Sequence, residues 1–304
     1  MSATSGESEI LHDYAEVNGV RLHYAHAGAG HERLIVFLHG FPEFWYAWKD
    51  QLTLFGRDYH AVAPDLRGYN LSSKPAEVEA YRMRHVGEDI RALAEHLGHR
   101  RFVLVGHDWG GAVAWAFAIN SPEHLERLVI VNAPHPAVFA RELRENPAQQ
   151  RASGYMLTLR GPEAEGLLAA DGYRMLLDLL RGWGEQRDWL TEPDRAAYVA
   201  AWSQPGALTG GLNYYRASAL GPPADEGDAA RDAAIPDPAA LVARVPTLVI
   251  WGERDSALLT GNLDGLDAFV PDLTVQRVPD GSHWVVHEQP DTVNAAIRRF
   301  LTTS

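Results

Sequence analysis

Residues 102–114 read Phe-Val-Leu-Val-Gly-His-Asp-Trp-Gly-Gly-Ala-Val-Ala: an apolar run, a turn crowded with glycine, then a helix-like run. Gly106, Gly110 and Gly111 allow backbone to pack on backbone at a tight turn, which would lift the Asp108 side chain into a cleft above a sheet. An exposed carboxylate in that position implies covalent chemistry. A serine acylated at a carbonyl gives an ester that water can cleave, but a serine alkylated at a saturated carbon gives an inert ether. Aspartate gives an ester either way. Asp108 therefore points to displacement at a saturated carbon that carries a leaving group, such as an epoxide or a carbon–halogen bond. The plainer reading of the same residue is a helix cap.

Two further groups could complete such chemistry. Residues 248–255, Leu-Val-Ile-Trp-Gly-Glu-Arg-Asp, place Asp255 just past an apolar run, and 278–284, Val-Pro-Asp-Gly-Ser-His-Trp, place His283 past the next one. In an open α/β sheet the loops at the carboxyl ends of the strands converge, so residues far apart in sequence can meet in one crevice. His283 is read as the base that activates water and Asp255 as the acid that orients it. Asp264, Asp267 and Asp280 are candidate substitutes for Asp255, but none follows a strand as directly. Most of the 14 histidines, His39 and His107 included, read as structural or surface groups. Upstream, the turn Phe37-Leu38-His39-Gly40-Phe41-Pro42-Glu43 can aim the backbone N–H of Phe41 at the same point as that of Trp109. Two such donors would form an oxyanion hole for water attack on an Asp108 ester.

These residues need a scaffold. Short β-like runs at 21–25, 34–38, 60–63, 102–105, 128–131, 247–251 and 273–278 alternate with amphipathic stretches such as 86–97 and 293–301, the pattern of a mostly parallel sheet flanked by helices. From about 136 to 246 no strand-like run occurs; the segment is rich in Ala, Leu, Arg, Trp and Tyr, with a helix start at Thr191-Glu192-Pro193-Asp194. The expected organisation is a core domain made of 1–135 and 246–304. A helical cap, 136–245, is inserted after the sixth strand, with a flexible Gly-, Pro- and Asp-rich return loop near 221–238.

Composition narrows the partners. With 27 basic against 40 acidic residues, the net charge of -13 disfavours nucleic acid and anionic lipid surfaces. Lys49 and Lys74 are the only lysines and both read as loop or surface, which argues against Schiff-base chemistry. The chain has no cysteine, which excludes disulfides and thiolate metal sites and fits a reducing compartment. Its first residues carry neither a basic nor an apolar signal segment, and no stretch is apolar enough to span a membrane. A soluble, cytoplasmic protein with no cofactor or metal is expected.

Taken together, His39-Gly40-Phe41-Pro42-Glu43, Pro64-Asp65-Leu66-Arg67-Gly68-Tyr69, Gly106-His107-Asp108-Trp109-Gly110-Gly111 and Gly281-Ser282-His283-Trp284 resemble epoxide hydrolases of the α/β-hydrolase fold, of the soluble microbial type. The resemblance covers about residues 14–302 and implies an eight-stranded sheet. It also implies two cap tyrosines that protonate the epoxide oxygen. Ser153-Gly154-Tyr155-Met156-Leu157 and Gly210-Gly211-Leu212-Asn213-Tyr214-Tyr215 resemble the two tyrosine motifs, so the role is carried to Tyr155 and Tyr215, with Tyr214 read as packing. A phenol is neutral at physiological pH and can donate to an alkoxide, whereas a halide needs only weak donors.

The motifs are shared with haloalkane and haloacetate dehalogenases, which are the competing reading. Trp109 beside the nucleophile, with Trp183, Trp189 and Trp202, keeps it open. Against it, Phe41 and Asn132 stand where one haloalkane group has asparagine and an acid, and Trp109 stands where fluoroacetate enzymes have arginine. A fold that has lost catalysis and serves as a small-molecule receptor is the other alternative. Phe41, Trp45, Trp109, Phe139 and Met156 are expected wall residues, which suits an apolar or aryl epoxide, with water as co-substrate.

Overall fold

The computed structural model describes residues 9–182, 189–223 and 238–302. Eight strands form one sheet: β1 (Leu11–Val17), β2 (Val20–Ala27), β3 (Leu34–Leu38), β4 (His60–Pro64), β5 (Phe102–His107), β6 (Leu125–Val131), β7 (Thr247–Gly252) and β8 (Leu273–Val278). Their order across the sheet is β1-β2-β4-β3-β5-β6-β7-β8. β2 is antiparallel to both β1 and β4, and every pairing from β4 to β8 is parallel. This is the expected eight-stranded, mostly parallel sheet.

Helices α1 (Lys49–Phe55), α2 (Met83–His96) and α3 (Trp109–Asn120) follow β3, β4 and β5. Between β6 and β7 the described residues hold α4 (Pro136–Glu145), α5 (Pro147–Ala152), α6 (Tyr155–Arg160), α7 (Ala164–Gly182), α8 (Glu192–Trp202) and α9 (Ala207–Ala217) and no strand. α10 (Val285–Glu288) and α11 (Pro290–Thr302) follow β8. α8 begins on a capping box in which the Thr191 hydroxyl and the Asp194 carboxylate each accept from the other's backbone N–H, as its sequence implied. Most of the return loop expected near 221–238, and Trp183, lie outside the described residues.

Burial on both faces explains the unbroken apolar strands. All five residues of β3 are buried. Leu34, Val36 and Leu38 join one core with Val86, Ile90 and Leu93 of α2 and Val113 and Trp115 of α3. Ile35 and Phe37 join the other with Leu52 and Phe55 of α1 and Val293, Ile297 and Phe300 of α11. Each such side chain contributes about 1.5 to 3 kcal/mol when fully buried, and a charge at Val105 in β5 would undo both the packing and the turn that follows it. The β6–β7 helices are tied down over the carboxyl edge of the sheet. The Trp202 indole N–H donates to the Pro42 carbonyl at 2.6 Å, and the Tyr214 hydroxyl to that of Arg67 at 3.0 Å.

Candidate active site

The turn between β5 and α3 is held in a backbone geometry that Asp108 would not choose alone: φ is 50° and ψ is -121°. Close backbone packing enforces it. A Cβ at Gly106 would sit 2.4 Å from the Gly110 carbonyl oxygen, and one at Gly110 would sit 2.3 Å from that of Leu38. Asp108 thus stands at the N-terminus of α3, where the helix dipole favours negative charge. The Phe41 N–H donates to Asp108 Oδ1 at 2.7 Å. Trp109 is the first residue of α3, so its N–H has no acceptor within the helix.

Loops after β7 and β8 bring the other two groups to the same edge. His283 Nδ1 lies 2.7 Å from Asp255 Oδ2, and its Nε2 lies 3.7 Å from Asp108 Oδ2. Asp255 is itself locked: the Ala257 and Leu258 N–H groups donate to Oδ1 at 2.9 Å each, and Asn132 Nδ2 donates to Oδ2 at 2.8 Å. Burial alone would raise the Asp255 carboxyl, but the adjoining His283 outweighs it and holds it low. Burial alone would lower His283, but Asp255, and behind it Asp108 and Glu43, push it up to about 9. Asp280, by contrast, is exposed and pairs with Arg254; Asp264 and Asp267 follow or sit in short 3-10 turns of the loop beyond Asp255 and are exposed, whereas His283 is buried.

Tyr155 opens α6 and Tyr215 lies in α9; their rings meet edge to face at 6.1 Å between centroids. Both hydroxyls are driven well above the ordinary phenol range: Tyr155 first by burial and then by the Asp108 and Asp255 carboxylates, Tyr215 first by burial and then by Tyr155 and Asp108. Both therefore stay protonated. Tyr214 points elsewhere, bonding to Arg67. A cavity of about 70 Å³ is lined by Asp108, Trp109, Phe139, Tyr155, Met156 and Tyr215, with Ala112, Pro134, Ser218 and Leu258 completing it. Phe41 packs edge-on against Tyr215 at 5.3 Å.

Trp45 requires a correction as a wall residue. It starts a 3-10 turn, its N–H donates to Asp65, and its ring packs on His12, Phe44 and Tyr46, away from the cavity. Trp189 stacks on His287 and Trp202 bonds to Pro42, so neither lines it.

One buried group had no role in the sequence reading. Glu43 accepts from the Tyr198 hydroxyl of α8 at 2.7 Å and from His287 Nε2 at 2.6 Å, and lies 3.4 Å from His107 Nδ1. His107 Nε2 in turn bonds to the His283 carbonyl at 2.9 Å. Burial alone would raise Glu43, but His287 and His107 hold it well below the usual carboxylate range. The sequence signal was only adjacency: Glu43 is two residues from Phe41, and His107 is next to Asp108.

An open α/β sheet with a strained aspartate turn, a donor from the β3 loop and an acid–histidine pair from β7 and β8 defines a class. The alpha/beta hydrolase fold family matches residues 33–290, and the chain belongs to it. Within that family it belongs with the epoxide hydrolases. It is 36% identical over 300 residues to mouse epoxide hydrolase 4, covering 95% of this chain and 79% of that protein. A crystal structure of a Bacillus megaterium epoxide hydrolase with an inhibitor has a TM-score of 0.87 and 39% identity, covering 96% of this chain and 100% of that one. A variant of a Bacillus megaterium epoxide hydrolase, complexed with a naphthyloxy-propanediol product, has a TM-score of 0.87 and 38% identity over the same shares. No helix among the described residues is long and apolar enough to cross a membrane.

Proposed function

We propose that this protein hydrolyses an apolar or aryl-bearing epoxide to a vicinal diol through an ester on Asp108. The observation that carries the reading is one cavity in which a carboxylate at a strained turn shares a mostly apolar wall with two buried, protonated tyrosines. Asp108 attacks an epoxide carbon while Tyr155 and Tyr215 donate to the departing oxygen, so no free alkoxide forms. His283, held by Asp255, then takes a proton from water, which attacks the ester carbonyl. The Phe41 and Trp109 N–H groups stabilise the oxyanion; on collapse the bond to the diol oxygen breaks, that oxygen takes the proton held by His283, and the acid proton left on Asp108 restores the tyrosine pair, so the diol leaves and the carboxylate is regenerated. The product named for the Bacillus structure is an aryl ether diol, which suits the walls offered here by Phe139, Met156 and Trp109. In this scheme residues 136–245 serve as a cap domain that supplies the proton donors, and 1–135 with 246–304 serve as the core that supplies nucleophile and base.

Dehalogenation rests on less. Of the candidate halide-binding tryptophans among the described residues, Trp109 alone lines the cavity. The deciding assay offers purified protein styrene oxide, 1-bromobutane and fluoroacetate in parallel, following diol and halide. Diol without halide, absent in Asp108→Asn, supports the proposal; halide without diol overturns it.

A further inference from the structure

Gln149 is fully buried in α5, six residues before Tyr155 but more than a hundred before Asp255, and it uses all of its hydrogen-bonding capacity. Its Nε2 donates to the Ser153 hydroxyl at 2.9 Å and to the Ala257 carbonyl at 2.8 Å. Its Oε1 accepts from the Leu259 N–H and from Asn262 Nδ2, both at 2.9 Å. The amide cannot be turned over, because a backbone carbonyl only accepts and a backbone N–H only donates.

The partners matter more than their number. Ala257, Leu258 and Leu259 form the segment whose first two N–H groups hold Asp255 Oδ1, and Leu258 also lines the cavity. Ser153 accepts on the other side, two residues before Tyr155, and its carbonyl accepts the Met156 N–H at 3.0 Å. One side-chain amide therefore bridges the loop that sets the acid and the turn that sets a proton donor. A neutral, four-bonded amide suits this place, since a charge there would perturb the Asp255–His283 pair.

We infer that Gln149 is a positioning residue that fixes Tyr155 for epoxide opening and Asp255 for ester hydrolysis at once. The inference rests on the roles proposed for those two residues. Misplacement of a reacting group by about 1 Å can cost on the order of a hundredfold in rate, so the strut should show in both chemical steps.

The test uses the whole chain and single-turnover tryptophan fluorescence with styrene oxide. Gln149→Leu, similar in size but without the bonds, should slow both ester formation and ester hydrolysis by about ten- to a hundredfold. Ser153→Ala cuts only the tyrosine arm and should slow ester formation alone. Gln149→Leu should also shift the low-field proton resonance of His283 Nδ1–H, a readout that needs no substrate. If Gln149→Leu does not yield folded protein, Gln149→Asn, neutral but one methylene too short to span both arms, carries the same comparison. A variant with an altered melting temperature but unchanged step rates and an unchanged proton resonance would show Gln149 to be structural only and overturn the inference. Failure of the wild-type protein to form diol would instead strike the proposed function, leaving the resonance to decide the strut to Asp255.

Discussion

The two oxygens of Asp108 are inequivalent: Oδ1 accepts the Phe41 N–H at 2.7 Å, whereas Oδ2 lies on the His283 side, 3.7 Å from Nε2. The oxygen already held by a donor is suited to remain a carbonyl, and the other is suited to attack. With one turnover in oxygen-18 water, the diol should carry no label and the peptide containing Asp108 should gain one labelled oxygen. Label in the first-turnover diol would mean that water opens the ring directly, and the ester would be lost from the mechanism.

Tyr155 and Tyr215 should matter only where the leaving group is basic. Each Phe substitution removes one donor from a buried site, and loss of such a donor typically costs about a hundred- to a thousandfold. Ester formation from styrene oxide should fall by that order in Tyr155→Phe or Tyr215→Phe and be nearly abolished in the double variant. Rapid-quench mass measurement of Asp108 reads the step directly. Full-rate ester formation in the double variant would make the pair packing residues.

Legibility in the sequence followed burial. β3, β5 and β7 are continuous apolar runs because both of their faces are covered, and Asp108, Asp255 and His283 could be picked out because each directly follows such a run or the one beside it. β1 was not legible. Leu-His-Asp-Tyr-Ala-Glu-Val buries only Ala15 and Val17 at the sheet edge, and it becomes a strand through its register with β2. Trp45 was misplaced for a different reason: its nearness to Phe41 is real, but a 3-10 turn carries its ring toward His12 of β1. Glu43 and His107 illustrate the remaining gap, since each sits beside a candidate site residue and no local pattern says that they meet.

Charge on Asp108 should govern the base. The folded value of His283, about 9, lies above its ordinary 6.5. Its stabilising contribution is therefore complete below about 6.5 and is lost as pH rises through about 9, at about 1.4 kcal/mol per unit of separation. The melting temperature of the wild-type protein should fall across that window, and fall less in His283→Gln. In the ester Asp108 is neutral, so one of the charges raising His283 is gone. The hydrolysis step, followed by stopped-flow fluorescence, should then increase with pH and titrate at a lower value than the free enzyme. Identical values in both forms would show that Asp108 does not bias His283.

Glu43 joins α8, through Tyr198, to the histidines behind His283. Because its folded value is depressed, its stabilising contribution is present above the ordinary 4.5 and is lost as pH falls below it. Glu43→Gln replaces the carboxylate that accepts from both Tyr198 and His287, and weakening buried hydrogen bonds to a charged acceptor typically costs about 1.5 to 3 kcal/mol. Chemical denaturation at neutral pH should show a loss of that order, and the difference from wild type should shrink as the pH is lowered toward about 4, where the wild-type carboxylate begins to lose its own advantage. Limited proteolysis should cut the variant first within α8, since the Tyr198 hydroxyl then meets a weaker acceptor. A variant as stable as wild type and no more easily cut would mean that the contacts of Tyr46, Lys49 and Trp202 hold α8 without Glu43.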